Sequence, residues 1–166
     1  MSVRTFGLSA AVAAAALGFA FTGSPIPADA QSNPFAGLTG SWAGNGTISL
    51  TNGASERIRC RATYSVPVSN NLQLSIRCAS DSYRFELQSS VVSQGGSAIS
   101  GTWSETSRNI GGSISGTANA GQITARADTG GFAANLSVST QGKRQTVSIR
   151  ASGADISGVD ITLSRS

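Results

Sequence analysis

From Trp42 to Leu163, apolar side chains recur at every second position in short runs, and Gly, Asn, Asp or Ser fills nearly every gap between the runs. A period of two with turn residues as punctuation specifies half-buried strands joined by tight hairpins, and no segment in this range sustains a helical period. The first run places Trp42, Gly44, Gly46, Ile48 and Leu50 on one face, and Thr51-Asn52-Gly53 turns the chain. The second carries Ile58, Cys60, Ala62, Tyr64 and Val66 and ends at Pro67 and Ser69-Asn70-Asn71. Leu72, Leu74, Ile76 and Cys78 form the third run, and Tyr83, Phe85 and Leu87 the fourth, which extends toward Val91. After Gln94-Gly95-Gly96 come Ile99, Gly101 and Trp103, then Ile110, Gly112, Ile114 and Gly116. Asn119-Ala120-Gly121 leads to Ile123, Ala125 and Ala127, and Gly130-Gly131 to Phe132, Ala134, Leu136 and Val138. Val147 and Ile149 follow Gln141-Gly142, and a longer loop from Ala151 to Gly158 precedes Val159, Ile161 and Leu163.

Ten such runs in close succession predict an all-β, antiparallel up-and-down meander. Each strand has one apolar face, and closing the sheet removes its edges, so a small barrel is the expected architecture, with a two-sheet sandwich as the alternative.

The N-terminus has a different grammar. Arg4 precedes an uncharged, alanine-rich stretch from Phe6 to Phe21, followed by Gly23, Pro25, Pro27 and Ala28-Asp29-Ala30. Charge, apolar stretch, breaker and small-x-small site are the parts of a cleavable secretory signal, with cleavage expected after Ala30. The stretch is short and alanine-rich, where a membrane span needs about 20 strongly apolar residues, so no stable span is expected after cleavage. The expected division is a signal over residues 1–30, a loose entry segment over 31–37 and one barrel domain over 38–166, exported to the periplasm or the medium. Removing thirty residues from 166 leaves 136, enough for one domain with a core.

In an oxidising compartment the two cysteines, Cys60 and Cys78, are expected to form a disulfide. Register agrees. A hairpin centred on Ser69 sets Cys60 opposite Cys78, Tyr64 opposite Leu74 and Val66 opposite Leu72. Directly opposed residues have Cα atoms about 4.5 to 5.5 Å apart, within reach of a disulfide.

Leu38-Thr39-Gly40-Ser41-Trp42 resembles the opening strand of calycin barrels, the lipocalin, avidin and fatty-acid-binding group. The resemblance implies that Gly40 lets the chain turn tightly into the barrel and that the Trp42 indole plugs its end. It also implies a basic side chain from the last strand over that tryptophan, for which Arg165 is in phase, and an interior able to hold a small apolar molecule. Ten strands bring the chain nearer to the fatty-acid-binding branch. The avidin biotin site uses several tryptophans; with only Trp42 and Trp103 present, biotin is not carried over. The chain also resembles small exported β-proteins of alphaproteobacteria, a likeness that implies no activity.

Much chemistry is excluded by composition. No histidine is present, which removes Ser-His-Asp and Cys-His catalysis and the usual zinc, copper and non-haem iron ligand sets. The one methionine, Met1, leaves with the signal, and Tyr64 and Tyr83 are in the apolar phase and read as core. Glu56, Asp81, Glu86, Glu105, Asp128, Asp155 and Asp160 fall mostly in turns or on polar faces, without an evident facing pair for glycoside hydrolysis. Lys143, the one lysine, sits in a turn, and no glycine-rich segment carries a phosphate-loop lysine. No cofactor, no metal and no enzymatic activity are expected.

Two features point toward binding. Arg57, Arg59 and Arg61 share the polar face of the second strand, where Arg61 falls opposite Arg77. If Cys78 pairs with Tyr83 in the next hairpin, Arg77 falls opposite Arg84. Like charges so placed need neutralising, and Glu86 and Glu56 are the nearby candidates. Such a face suits an anionic envelope component: a polysaccharide, a lipid head group or a partner. Nucleic acid is not expected, because an aromatic stacking platform is missing. The second feature is the interior, where Gly44, Gly46, Gly101, Gly112, Gly116, Ala125, Ala127 and Ala134 are small. They either let larger side chains interdigitate or leave room for a small apolar ligand. The primary expectation is a ligand-binding barrel; the alternative is an envelope interaction protein acting through its arginines.

Overall fold

A computed structural model describes residues 33–166. The signal segment 1–30, its cleavage site and residues 31 and 32 lie outside the described residues. The rest is one closed antiparallel barrel whose strands follow each other in chain order: β1 (Gly40–Leu50), β2 (Ser55–Val68), β3 (Asn71–Ala79), β4 (Arg84–Ser93), β5 (Ala98–Glu105), β6 (Ile110–Asn119), β7 (Gln122–Asp128), β8 (Ala133–Gln141), β9 (Arg144–Ser152) and β10 (Ile156–Arg165). β10 returns to pair with β1, so the sheet closes on itself and a sandwich is excluded. The alternating residues form the core: Ile48, Ile58, Ala62, Tyr64, Ile76, Ile161 and Leu163 are all buried inside. The outer faces carry exposed Arg, Ser and Thr, whereas a bilayer-spanning barrel turns an apolar band outward.

The β2–β3 register is as the cysteines require. Cys60 faces Cys78 and Tyr64 faces Leu74. A disulfide joins the two cysteines inside the barrel, both 2% exposed. The expected Val66–Leu72 pair is absent. β2 runs on through Pro67 to Val68, and its register slips between Ser65 and Val68. Pro67 has no N–H to give the ladder, so a bulge near it is the available solution.

The β3–β4 register differs from expectation by two residues. Cys78 faces Phe85, not Tyr83, and Arg77 faces Glu86, not Arg84. The cause lies in the turn. The Ser80 N–H donates to the Tyr83 carbonyl at 2.7 Å and the Tyr83 N–H donates to Ser80 Oγ at 2.9 Å, which draws Tyr83 out of the ladder. The β9–β10 connection is shorter than expected, reduced to Gly153–Asp155 because both strands extend into it.

The interior glycines act on the walls more than on the volume. A Cβ on Gly44 would lie 2.0 Å from the Thr162 carbonyl oxygen of β10. At that position β1 and β10 lie too close to admit a side chain. The room inside comes from alanines instead, Ala127 and Ala134 among them.

Candidate functional site: one sealed end and one open end

The barrel has two unlike ends. At the end where β1 starts, residues 34–38 form a turn, and the Leu38 N–H donates to the Phe35 carbonyl at 3.2 Å. Phe35 and Leu38 are fully buried. The segment expected to be loose is thus, from Asn33 onward, a packed cover. Gly40 has φ +127°, a conformation only glycine adopts readily, and it steers the chain from that cover into β1. Trp42 follows, buried, with its indole N–H donating to the Leu38 carbonyl at 2.8 Å. Arg165 faces Trp42 in the β1–β10 ladder, its guanidinium carbon 4.7 Å from the ring centre. A guanidinium nitrogen of Arg165 also donates to the Gly37 carbonyl, tying the last strand to the cover. The structure therefore brings Gly40, Trp42 and Arg165 together.

A buried polar chain lies nearby. Tyr64 donates its hydroxyl to Gln145 Oε1 at 2.8 Å, and Gln145 Nε2 donates to Thr140 Oγ1 at 2.9 Å. Burial pushes the Tyr64 phenol well above its usual range, so it stays a neutral donor despite the opposing effect of the Gln145 contact. Gln145 is fully buried and was not among the expected core residues. The signal was its phase, two positions before Val147.

The opposite end is open. A cavity of about 460 Å³ runs inward from the turns that follow β3, β5, β7 and β9. Its walls include Phe85, Leu87, Trp103, Phe132, Leu136 and Ile149, with Ala127, Ala134 and Ala151 leaving the space. Trp103 and Phe132 stack at a tilt, ring centres 5.8 Å apart. Ile110, at the rim, is 40% exposed. The size falls in the ~300–1,000 Å³ range of small-molecule sites, and the lining is of the usual apolar and aromatic kind.

Two polar groups in this lining stand out. Glu105, 5% exposed, continues the inward phase of Ile99, Gly101 and Trp103 and is not on a polar face. Its Oε1 accepts the N–H groups of Glu86 at 2.9 Å and Ser107 at 3.2 Å and the Ser107 hydroxyl. Its Oε2 accepts the Arg108 N–H at 2.7 Å, with the Arg108 guanidinium 3.9 Å away. Burial alone would raise this carboxyl, but the hydrogen bonds outweigh it and hold Glu105 below the usual range, ionised and saturated. It braces the β5–β6 turn, where Asn109 takes φ +53°. The other group is Trp103, 7% exposed, whose indole N–H has no acceptor among the described residues. An unpaired buried donor costs about 1–3 kcal/mol.

The arginines lie outside. Arg57, Arg59 and Arg61 are exposed along β2, and Arg61 faces Arg77. Arg77 is paired with Glu86 at 2.7 Å, which raises the guanidinium further. Arg84 faces Ala79. Glu56 does not neutralise the row; it accepts the Ser80 hydroxyl at 2.8 Å. Arg59, Arg61, Arg77 and Arg84 still border one outer groove, with Glu86 as its acid.

Solved structures share this closed β-barrel fold. Rv2717c from M. tuberculosis aligns with a TM-score of 0.54 at 12% identity, over 78% of this chain and 92% of that one. The S-type phycobiliprotein lyase CPES from Guillardia theta aligns with a TM-score of 0.57 at 8% identity, over 77% of this chain and 88% of that one. At such identities the likeness is one of fold. No protein-family model matches the chain, and no curated protein matches it by sequence.

Proposed function

We propose that this chain is an exported, non-enzymatic barrel that holds a small apolar molecule in the open half of its interior. The observation that carries the reading is the cavity of about 460 Å³ with its aromatic and aliphatic walls. Export rests on the pattern of residues 1–30, and a buried Cys60–Cys78 disulfide suits an oxidising compartment. The absence of histidine from the chain supports a binding role over catalysis. Native mass spectrometry of protein purified from its own host tests the reading. The expected result is a mature chain starting at Gln31 that carries a small apolar mass. An empty interior that takes up no apolar probe overturns it, as does hydrolase activity across a broad substrate panel.

A second reading is favoured by the outer groove, where four arginines meet one glutamate. In that reading the protein docks on an anionic envelope polysaccharide or lipid. Binding would weaken with salt, and replacing Arg59, Arg61 and Arg77 with serine would abolish it. Salt-insensitive binding, or binding that survives the replacements, rules it out.

A further inference from the structure

The arginines of the outer wall are of two kinds. Arg126 on β7 is paired with Asp128 at 3.5 Å, and Arg150 on β9 with Asp160 at 3.0 Å. Around the outer groove of β2, β3 and β4, Arg77 has Glu86, while Arg59, Arg61 and Arg84 are in no ion pair among the described residues. Like charges gathered on neighbouring strands repel one another unless an anion joins them.

The register gives this groove a centre. Ala79 on β3 faces Arg59 on β2 and Arg84 on β4. Arg77 precedes it by two residues on the same exposed face, and Arg61 faces Arg77. Facing residues lie about 4.5–5.5 Å apart, and alternate residues of a strand about 6.8 Å. Three arginines therefore leave the chain around one exposed methyl group, with the fourth beside them. Every cation that borders the groove is an arginine, whose planar fork grips an oxyanion with two hydrogen bonds where a lysine offers a point charge.

The rest of the lining narrows the carrier of the anion. Asn45, Thr63 and Ser75 border the groove with amide and hydroxyl groups, which suit the hydroxyls of a sugar. The large apolar side chains that stand exposed, Val68, Val92 and Ile110, all lie outside it, so none is placed there to enter a bilayer.

We infer that the groove binds a phosphate monoester carried on a saccharide, gripped by Arg59 and Arg84 from either side of Ala79, with Arg61 and Arg77 adding charge beside it. This rests on the second reading above, docking through the arginine face. It deepens that reading by naming the anion, its carrier and the floor on which it sits. A phosphate monoester carries about −1.5 to −2 charges at pH 7 and three acceptor oxygens, so it answers several unpaired guanidiniums better than a singly charged carboxylate does.

Nuclear magnetic resonance titration of the isotope-labelled mature protein with glucose phosphate, glucuronate and glucose tests it. Glucose phosphate is expected to shift the Nε–H signals of Arg59 and Arg84 and the amide of Ala79 saturably, about 5-fold more tightly than glucuronate, the worth of one further surface charge contact. Glucose should leave these signals unmoved. Ala79→Glu puts a carboxylate on the exposed floor without removing an arginine. It should abolish the saturable shifts while the remaining amide spectrum stays that of the folded barrel. Arg84→Lys keeps the charge, loses the fork and should weaken binding several-fold. Arg144→Ser removes a charge outside the groove and should leave the affinity within about 2-fold. Glucuronate binding as tightly as glucose phosphate, full binding by Ala79→Glu, no loss in Arg84→Lys, or a loss in Arg144→Ser each overturns the inference. Arg84-dependent binding to vesicles containing phosphatidic acid, without binding of glucose phosphate, overturns the saccharide as carrier. If dextran sulfate binds in a salt-sensitive way and glucose phosphate does not, this inference falls and the docking reading stands. If neither binds, both fall.

Discussion

At the sealed end of the barrel, Phe35, Leu38 and Trp42 expose at most 1% of their surface. At the open end, Tyr83, Phe85, Leu87 and Phe132 are only half-buried around a cavity of about 460 Å³. The strands are equally alternating at both ends, so the pattern of the strands does not make the difference. The caps do. The sealed end has the turn at residues 34–38, which brings two large side chains across the opening, and Arg165 fastens it. The open end has only hairpin turns such as Ser80–Tyr83 and Gly153–Asp155, short and mostly of small residues. One end of this barrel is therefore built as a core and the other around an open cavity, and the two should answer mutation differently.

Trp42→Ala should produce the largest effect. It removes a buried indole, its hydrogen bond to Leu38 and the platform under Arg165. Loss of a buried tryptophan costs about 3–5 kcal/mol, measurable as a lowered urea midpoint with an unchanged slope. Probe affinity of the fraction that remains folded should hold, because Trp42 is not part of the cavity wall. Comparable loss of stability and affinity together would mean that the ends are not separate.

Next is the disulfide, which lies between the two ends and closes a separation of 18 residues. Replacing both Cys60 and Cys78 with alanine should cost about 3 kcal/mol, largely by freeing the unfolded chain. Thermal unfolding with and without reductant checks it: the reductant should lower the wild-type transition toward that of the variant and leave the variant unmoved.

How much of this was legible in the sequence depends on whether a feature is local. Alternation is local, and it yielded ten strands, their inward faces and, with two cysteines to align, the β2–β3 register. The β3–β4 register failed because Ser80 closes a four-residue turn through its side chain, and alternation is blind to a slip of two. That slip sets Arg77 opposite Glu86 instead of Arg84, so one arginine of the face is ion-paired. Glu105 and Gln145 sat in the inward phase all along; their polar side chains masked a signal that phase alone would have shown. Whether the interior is filled or hollow was not legible. It depends on which side chains meet across the barrel, and on Phe35 and Leu38 folding back from outside the meander.

Glu105 sharpens the comparison, since it is a buried structural group at the open end. Its folded-state value is depressed, so its contribution is present above the ordinary carboxyl value of 4.5 and is lost as pH falls through the lower folded value. Glu105→Gln should cost about 1–3 kcal/mol near neutral pH, as expected for hydrogen bonds to a charged acceptor. The gap from wild type should narrow as the medium is acidified from about pH 7 toward about pH 3. A gap that stays constant with pH would show that the carboxylate charge is not what braces the β5–β6 turn.

The smallest effect on stability is expected at the rim, and it separates the ends most cleanly. Ile110 is 40% exposed and borders the cavity, so it contributes little core and much entrance. Ile110→Ser should leave the unfolding free energy within about 0.5 kcal/mol of wild type, as for most surface changes. The same change removes apolar surface that an entering molecule would cover, and at roughly 25 cal/mol per Å² even a partly buried isoleucine side chain is worth several-fold in affinity. Titration of an apolar probe against both proteins should therefore show weaker binding at unchanged stability. If Ile110→Ser lowers stability and leaves affinity alone, the open end is a loosely packed core and not a vessel.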